Sequence, residues 1–271
     1  MKRPFFRIDY GPAFRAARIE RRTLVVPHLS RALSGRSLLF MTDLHMSAMF
    51  PEKAMLRLLE QAQALRPDIL CLGGDLAETG ADQARAVALL GRLRPALGAF
   101  AVMGNNDWQH VEHEGVALPD ALRSAGIQPL IDSEAMVALP GGRLIVAGLN
   151  ALTEDTAPAT PFFADSRDGD LRILMAHYPK SVEQHKDACA LPPHLALAGH
   201  THGGQLRFLG LSPYSIGFET RQTYRRLPID GWTEHPGFPL LVSPGVGTSR
   251  LPFRLNVPPT IHLITFQAEA Q

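Results

Sequence analysis

The sequence is poor in the features that mark several large protein classes. Among its 271 residues there are two cysteines, Cys71 and Cys189. Two thiols build neither a disulfide framework nor a four-thiolate zinc site, and nothing in them demands an oxidising compartment. No apolar run approaches the roughly 18 residues that a membrane-spanning helix requires. The basic stretch over residues 1–7 has its apolar character broken at Arg7 and Asp9, before a signal-peptide core could form. Arg21-Arg22 ahead of four largely apolar residues has a twin-arginine look, but Pro27 and His28 interrupt it too early for export. There is no G-x-S-x-G, P-loop or G-x-G-x-x-G segment to supply a nucleophile elbow or a phosphate cradle, and no internal repeat or low-complexity tract. The expected location is cytoplasmic.

Neither sign of charge dominates, with 27 basic against 26 acidic side chains, and 45% of residues are hydrophobic. That balance excludes disorder and predicts one domain with a full core. The charge is unevenly placed: residues 1–36 carry nine basic side chains against Asp9 and Glu20. The chain therefore divides into a basic N-terminal arm over residues 1–22 and a domain over residues 23–271. Such an arm fits docking on an anionic membrane surface, peripheral on its inner face, or a plain solvated face. Nucleic acid is the poorest partner, because no stacking aromatics interleave the arginines.

Short apolar runs predict buried strands at residues 38–42, 69–72, 99–103, 144–148, 172–176, 195–198, 240–243 and 260–266. Between the early ones, Met55, Leu58, Leu59, Ala62 and Leu65 recur at steps of three and four, which predicts a helix over 51–65. Weaker patterns predict helices over 84–93 and 119–125, and loops over 152–170 and 207–226. Strands and helices alternate early and strands crowd later, which predicts an α/β sandwich with sheets inside and helices outside.

The residues following these runs carry the chemistry. The strands run out into Asp43-Leu44-His45, Gly73-Gly74-Asp75, Gly104-Asn105-Asn106-Asp107, His177 and Gly199-His200-Thr201-His202. Open α/β sheets gather ligands at the carboxyl ends of their strands, so adjacent strands would bring these five segments to one crevice. Asp43, His45, Asp75, Asn105, His177, His200 and His202 offer four imidazoles, two carboxylates and an amide. That mixture suits Zn, Mn, Fe, Co or Ni better than the all-oxygen shells of Ca or Mg. Seven ligands exceed one tetrahedral site, which points to two divalent ions, Mn, Zn or Fe, sharing a carboxylate. Two such ions clamp a phosphoryl group and lower the pKa of a bridging water, so hydrolysis of a phosphorus ester follows.

In order and spacing these five blocks, across about residues 23–266, resemble the calcineurin-like metallophosphoesterases. Gly199-His-Thr-His-Gly-Gly-Gln205 and the tail from Ser243-Pro-Gly-Val-Gly through Pro252-Phe-Arg-Leu-Asn-Val-Pro-Pro259 are similar to the bacterial YkuE branch. That branch includes UDP-diacylglucosamine pyrophosphatases in some lineages. The resemblance implies a four-layer α/β/β/α sandwich with a mixed double sheet. It implies that Asp43, His45 and His202 hold one ion, that Asn105, His177 and His200 hold the other, and that Asp75 bridges. Asp107 would orient its neighbours beside the catalytic position.

The family commonly has His between Asn and Asp, where this chain has Asn106. An amide donates a hydrogen bond but delivers no proton near neutral pH. A phosphate leaving group needs little protonation, so the expected substrate is a diphosphate or phosphodiester such as a nucleotide-lipid. The alternatives are a phosphodiesterase of soluble nucleotides and a noncatalytic metal-binding module. Gln205, Arg221, Arg225 and Arg226 are the expected substrate contacts, the arginines through their planar forks. His110 and His113, close to Asp107, are within reach of the same role.

Overall fold

The computed structural model describes residues 8–10, 14–150, 161–209, 211–212, 229–235 and 237–269. In chain order the first half comprises β1 (Ile8–Tyr10), β2 (Arg18–Val26), β3 (Ser37–Met41), α1 (Glu52–Ala64), β4 (Ile69–Leu72), α2 (Gly80–Leu90), β5 (Ala99–Ala101), α3 (Asn105–Glu114) and α4 (Leu118–Ser124). The second half comprises β6 (Ile127–Pro129), β7 (Ser133–Leu139), β8 (Gly142–Gly148), β9 (Leu171–Met175), α5 (Pro179–Gln184), β10 (Leu195–Ala198), β11 (Gly231–His235), β12 (Phe238–Val242), β13 (Phe253–Leu255) and β14 (Thr260–Ala268).

Two six-stranded mixed sheets carry the molecule. One runs β2-β14-β3-β4-β5-β6, the other β11-β12-β10-β9-β8-β7, and β1 pairs with β13 as a separate ribbon. In the first sheet every neighbouring pair is parallel except β14 with β3; in the second β12, β10, β9 and β8 are parallel and the two edges are antiparallel.

Strand alternation explains the layering. In β3, Leu38 and Phe40 point toward the second sheet and pack with Ile173, Met175, Leu195 and Leu197. Their neighbours Leu39 and Met41 point the other way, against Met55, Leu58 and Ala62 of α1 and Leu90 of α2. The outer face of the second sheet, Leu174, Ala196, Ala198 and Val242, is covered by Val182 of α5 and by Phe162 and Phe163. The layers are therefore helix, sheet, sheet, helix, the α/β/β/α order that the resemblance implied.

Two of the differences from the sequence pattern have a plain physical reason. β2 was not legible as a strand, because its Arg-Ile-Glu-Arg-Arg-Thr stretch has charges where a core strand has apolar residues. It is an edge strand, where charge is tolerated, and it pairs in parallel with β14 from Arg18↔Thr260 to Val26↔Ala268. The division at residues 22 and 23 thus falls inside a strand. Arg22 is anchored over the Trp232 ring at 4.1 Å, and Arg36 donates to Asp68 at 2.7 Å, whereas Arg15, Arg18, Arg21 and Arg31 remain exposed. α2 begins at Gly80, ahead of the expected 84, because Thr79 caps it: its hydroxyl accepts from Asp82 N at 3.1 Å.

Parallel order puts the carboxyl ends of β3, β4 and β5 at the same end of the molecule as those of β9, β10 and β12. The five polar segments leave the sheets there.

Candidate metal centre

Beyond β3 and β4 the chain keeps a ladder without keeping a strand. Asp43 N donates to Gly74 O at 3.0 Å and His45 N to Asp75 O at 3.1 Å. Five of the seven singled-out residues have left-handed backbones: Asp43, His45, Asp75, His200 and His202 lie at φ between 45° and 70°. Side chains two apart, which an extended segment would send to opposite faces, are thereby turned to one side. Such conformations cost about 1–3 kcal/mol each and persist where the surroundings hold them. Two glycines admit the carboxylates: a Cβ on Gly104 would stand 2.1 Å from Asp75 Oδ1, and one on Gly199 2.4 Å from Asp43 Oδ2.

The result is two clusters. In the first, ligating atoms of Asp43, His45 and His202 lie within 4.8 Å of one another, and in the second those of Asp75, His177 and His200 do. In the second, His177 Nε2 is 3.2 Å from Asn105 Oδ1 and 3.2 Å from His200 Nδ1. A single atom joins the clusters: Asp75 Oδ2 lies 3.5 Å from His45 Nε2 and 3.5 Å from His177 Nε2.

The far ring nitrogens are held by their surroundings. His45 Nδ1 contacts Glu78 Oε1, and His177 Nδ1 lies 2.8 Å from the carbonyl oxygen of Gly73. Both partners accept only, so both rings carry their proton there and turn Nε2 to the cluster. His45 Nε2 is buried and has no hydrogen-bond partner. Asp43 accepts from Thr42 Oγ1 at 2.7 Å and from the backbone N of His200 at 3.0 Å.

Electrostatics describe a site short of cations. Burial raises the Asp43 carboxyl, with Asp75 adding repulsion against the pull of His177. Burial would raise Asp75 as well, but the charge of His177, its hydrogen bond and the charge of His45 hold it below the carboxylate range. His177 is pushed up to about 10, because the carboxylates of Asp75 and Asp43 overcome its burial. His200 is driven down to about 3 by burial and by repulsion from His177. A proton on His177 thus meets a charge demand that a divalent ion would meet better. The orphaned His45 nitrogen, the convergent donors and the two buried carboxylates fit a pair of nitrogen- and oxygen-seeking metal ions.

The remaining singled-out residues divide. Asn105, Asn106 and Asp107 form the first turn of α3. Asp107 is fully buried, and its carboxylate accepts from Asp75 N (2.7 Å), Leu76 N (3.0 Å), Gly104 N (2.9 Å) and Gln83 Nε2 (2.9 Å). All four donors are protein groups, so Asp107 holds the loop that carries Asp75 and does not reach into the site. Asn106 faces the joining carboxylate directly: its N donates to Asp75 Oδ1 and its Nδ2 to Asp75 Oδ2, both at 2.9 Å.

Gln205 is turned away from the role expected of it. Its Nε2 donates to Leu251 O and Phe253 O, and its Oε1 accepts from Ser249 N, which leaves no amide hydrogen for a substrate. His110 pairs with Glu114 at 2.6 Å, and Glu114 in turn accepts from Gly80 N, so His110 ties α3 to α2. Arg221, Arg225 and Arg226 lie outside the described residues. Sequence reasoning missed Glu78, Gln83 and Arg254, the last of which contacts His202. Glu78 and Gln83 belong to no motif; Arg254 lies in the Pro252–Pro259 tail, whose likeness was noted without a role for the arginine.

A family model described as calcineurin-like phosphoesterase matches residues 36–204. Among curated relatives, protein YpbG of Bacillus subtilis is 27% identical over 230 residues, covering 84% of this chain and 80% of its own. The YkuE metallophosphoesterase of the same organism is 23% identical, covering 90% and 82%. Phosphodiesterase YaeI of Escherichia coli is 32% identical over 177 residues, covering 63% of this chain and 62% of its own.

Proposed function

The chain belongs to the calcineurin-like phosphoesterase family, the metal-dependent phosphoester hydrolases, and from that premise we propose that it cleaves a diphosphate, with a nucleotide-lipid as the substrate class. Asp43, His45 and His202 hold one divalent ion, Asn105, His177 and His200 hold the other, and Asp75 is shared. Bound there, two such ions supply Lewis acidity to the phosphoryl oxygens and a lowered pKa to water between them. The observation that carries this reading is the position of Asp75 Oδ2, equidistant from an imidazole of each cluster.

This chain's own residues prepare the site for that chemistry. Glu78 and the Gly73 carbonyl fix the protons of His45 and His177 on their outer nitrogens, so both present lone pairs inward. Asp107 holds the backbone of Asp75 rigid, and the amide of Asn106 clamps its carboxylate.

The leaving group follows from Asn106. Where the family commonly has an imidazole, this chain places an amide already committed to Asp75, with no proton to give. An alkoxide departs poorly without one, and a phosphate, with its second pKa near about 6, departs readily. The phosphodiesterase relative favours a second reading, a diester with an activated leaving group. Turnover of a nucleoside-diphosphate lipid and of a soluble nucleotide diester, each set against an unactivated alkyl phosphate, separates these. The diphosphate should be fastest, and an alkyl phosphate cleaved equally well would remove the argument.

A lipid substrate is supported by the apolar residues that follow the His202 loop in the chain. Phe208 and Leu211 exchange backbone hydrogen bonds of 2.8 and 2.9 Å. Phe208, Leu209 and Leu211 are all exposed there, Leu209 to 73%. Anionic and neutral vesicles compared in a flotation assay test this: the protein should rise with anionic vesicles alone, and loss of that binding is expected when Arg15, Arg18 and Arg21 become glutamine. Among the described residues no helix is long and apolar enough to cross a membrane.

A further inference from the structure

The two imidazoles of the first cluster are held in opposite ways. His45 turns its outer nitrogen to a carboxylate, as metal-bound histidines usually do. His202 turns its Nδ1 to Arg254 Nη2, 3.2 Å away. A guanidinium has five donors and no acceptor, so in the ion-free protein His202 Nδ1 must accept and the ring proton sits on Nε2, 3.6 Å from Asp43 Oδ1, where an ion bound at Nε2 would displace it.

Arg254 is the largest fully buried side chain among the described residues, at 0% exposure. No carboxylate lies within ion-pair distance of it among those residues, although Asp43 and Asp9 are near enough to act on its charge. Its other contacts are backbone carbonyls: Nε donates to Gly247 O at 2.6 Å and Nη1 to His202 O at 3.3 Å. Burying an arginine without a salt bridge is expensive, and packing alone does not explain it. Each contact falls on a loop of the site. Gly247 belongs to the segment that donates twice to Asp43 O, through Val246 N and Gly247 N, at 3.3 and 2.7 Å. The guanidinium therefore spans the loop of His202 and the loop that braces Asp43.

Resting on the two-ion reading above, we infer that Arg254 is a positioning residue for the first cluster: it orients His202 and registers its loop against Asp43. The ion held by Asp43, His45 and His202 depends on it, and the ion held by Asn105, His177 and His200 does not. Lysine cannot replace it, because one ammonium cannot reach the Gly247 carbonyl, the His202 carbonyl and the His202 ring together.

The test reads metal affinity and needs no turnover. Mn is titrated calorimetrically into His177→Ala protein, which keeps the first cluster, and into His45→Ala protein, which keeps the second. Adding Arg254→Lys should weaken binding by about 10–100-fold in the first background and leave the second unchanged. Equal weakening in both backgrounds would make Arg254 a general structural support, and no weakening in either would make it irrelevant; each overturns the inference. Wild-type protein that binds two ions while the Arg254→Lys series shows no selectivity sinks this inference alone. Wild-type protein that binds none sinks the two-ion reading as well. Should the lysine variant fail to fold, nuclear magnetic resonance of the wild-type protein without metal decides: a coupling across the hydrogen bond from an arginine Nη to His202 Nδ1 is expected, and its absence rejects the assignment.

Discussion

Asn106 gives its backbone N–H and one hydrogen of its side-chain amide to Asp75, and a histidine in its place would put a titratable ring where an amide now sits. Asn106→His is therefore expected to raise cleavage of an unactivated alkyl phosphate by about a hundredfold, the lower end of what a positioned acid contributes. Diphosphate turnover should change far less, and steady-state kinetics on both substrates check the contrast. At this scale the sequence was informative for a physical reason. Strand ends followed at once by carboxylates and imidazoles are visible in one dimension, and the structure brings all seven of those side chains together. Glu78 and Arg254 were not visible in this way. Each acts on a ring that lies next to it only after folding, and Arg254 meets His202 across some fifty residues of chain.

α3 shows what an element does for the site and why its presence escaped a reading of periodicity. Its first turn is Asn105-Asn106-Asp107, and of its ten residues only Asp107 and His110 are buried, so it has no apolar stripe to detect. It forms because Asp107 accepts from Gly104 N and compensates the unpaired donors of the first turn. The same carboxylate holds Asp75 N and Leu76 N. Asp107→Ala strands buried donors, at about 1–3 kcal/mol for each one left unsatisfied. Urea unfolding should show a loss of at least that size. Metal affinity should fall in the same variant, because the loop that carries Asp75 loses its anchor. The strands that were readable, β3, β4 and β10 among them, are those buried on both faces, whose apolar runs are continuous. β2 and β7 are edge strands with mixed composition; the partner of β2 lies far along the chain, whereas β7 pairs with β8 directly after it.

Across the whole molecule, stability has a pH dependence separate from the metal clusters. The Asp170 side chain is fully buried where the chain enters β9, and Arg143 holds it through Nη2 at 2.6 Å. It also accepts from Arg143 N at 2.8 Å and Arg167 N at 3.0 Å. Burial opposes its charge, but the Arg143 hydrogen bonds and the backbone donors prevail and lower its pKa. A depressed carboxylate stabilises above its unfolded pKa of about 3.9, and that stability is lost as the pH falls through the lower folded value. Asp170→Asn should cost about 1.5–3 kcal/mol at pH 7 and progressively less below pH of about 4, measured by denaturant unfolding at both values. A cost independent of pH would assign the effect to packing.

The placement of β14 has a temporal consequence. It fills the slot between β2 and β3, parallel to one and antiparallel to the other, so β2 has no partner, and β3 only β4, until a strand far later in the chain is made. Thr260, at its start, donates to Gly245 O in the segment that braces Asp43. Docking of β14 therefore closes the first sheet and sets the Gly245 segment against Asp43 in one step.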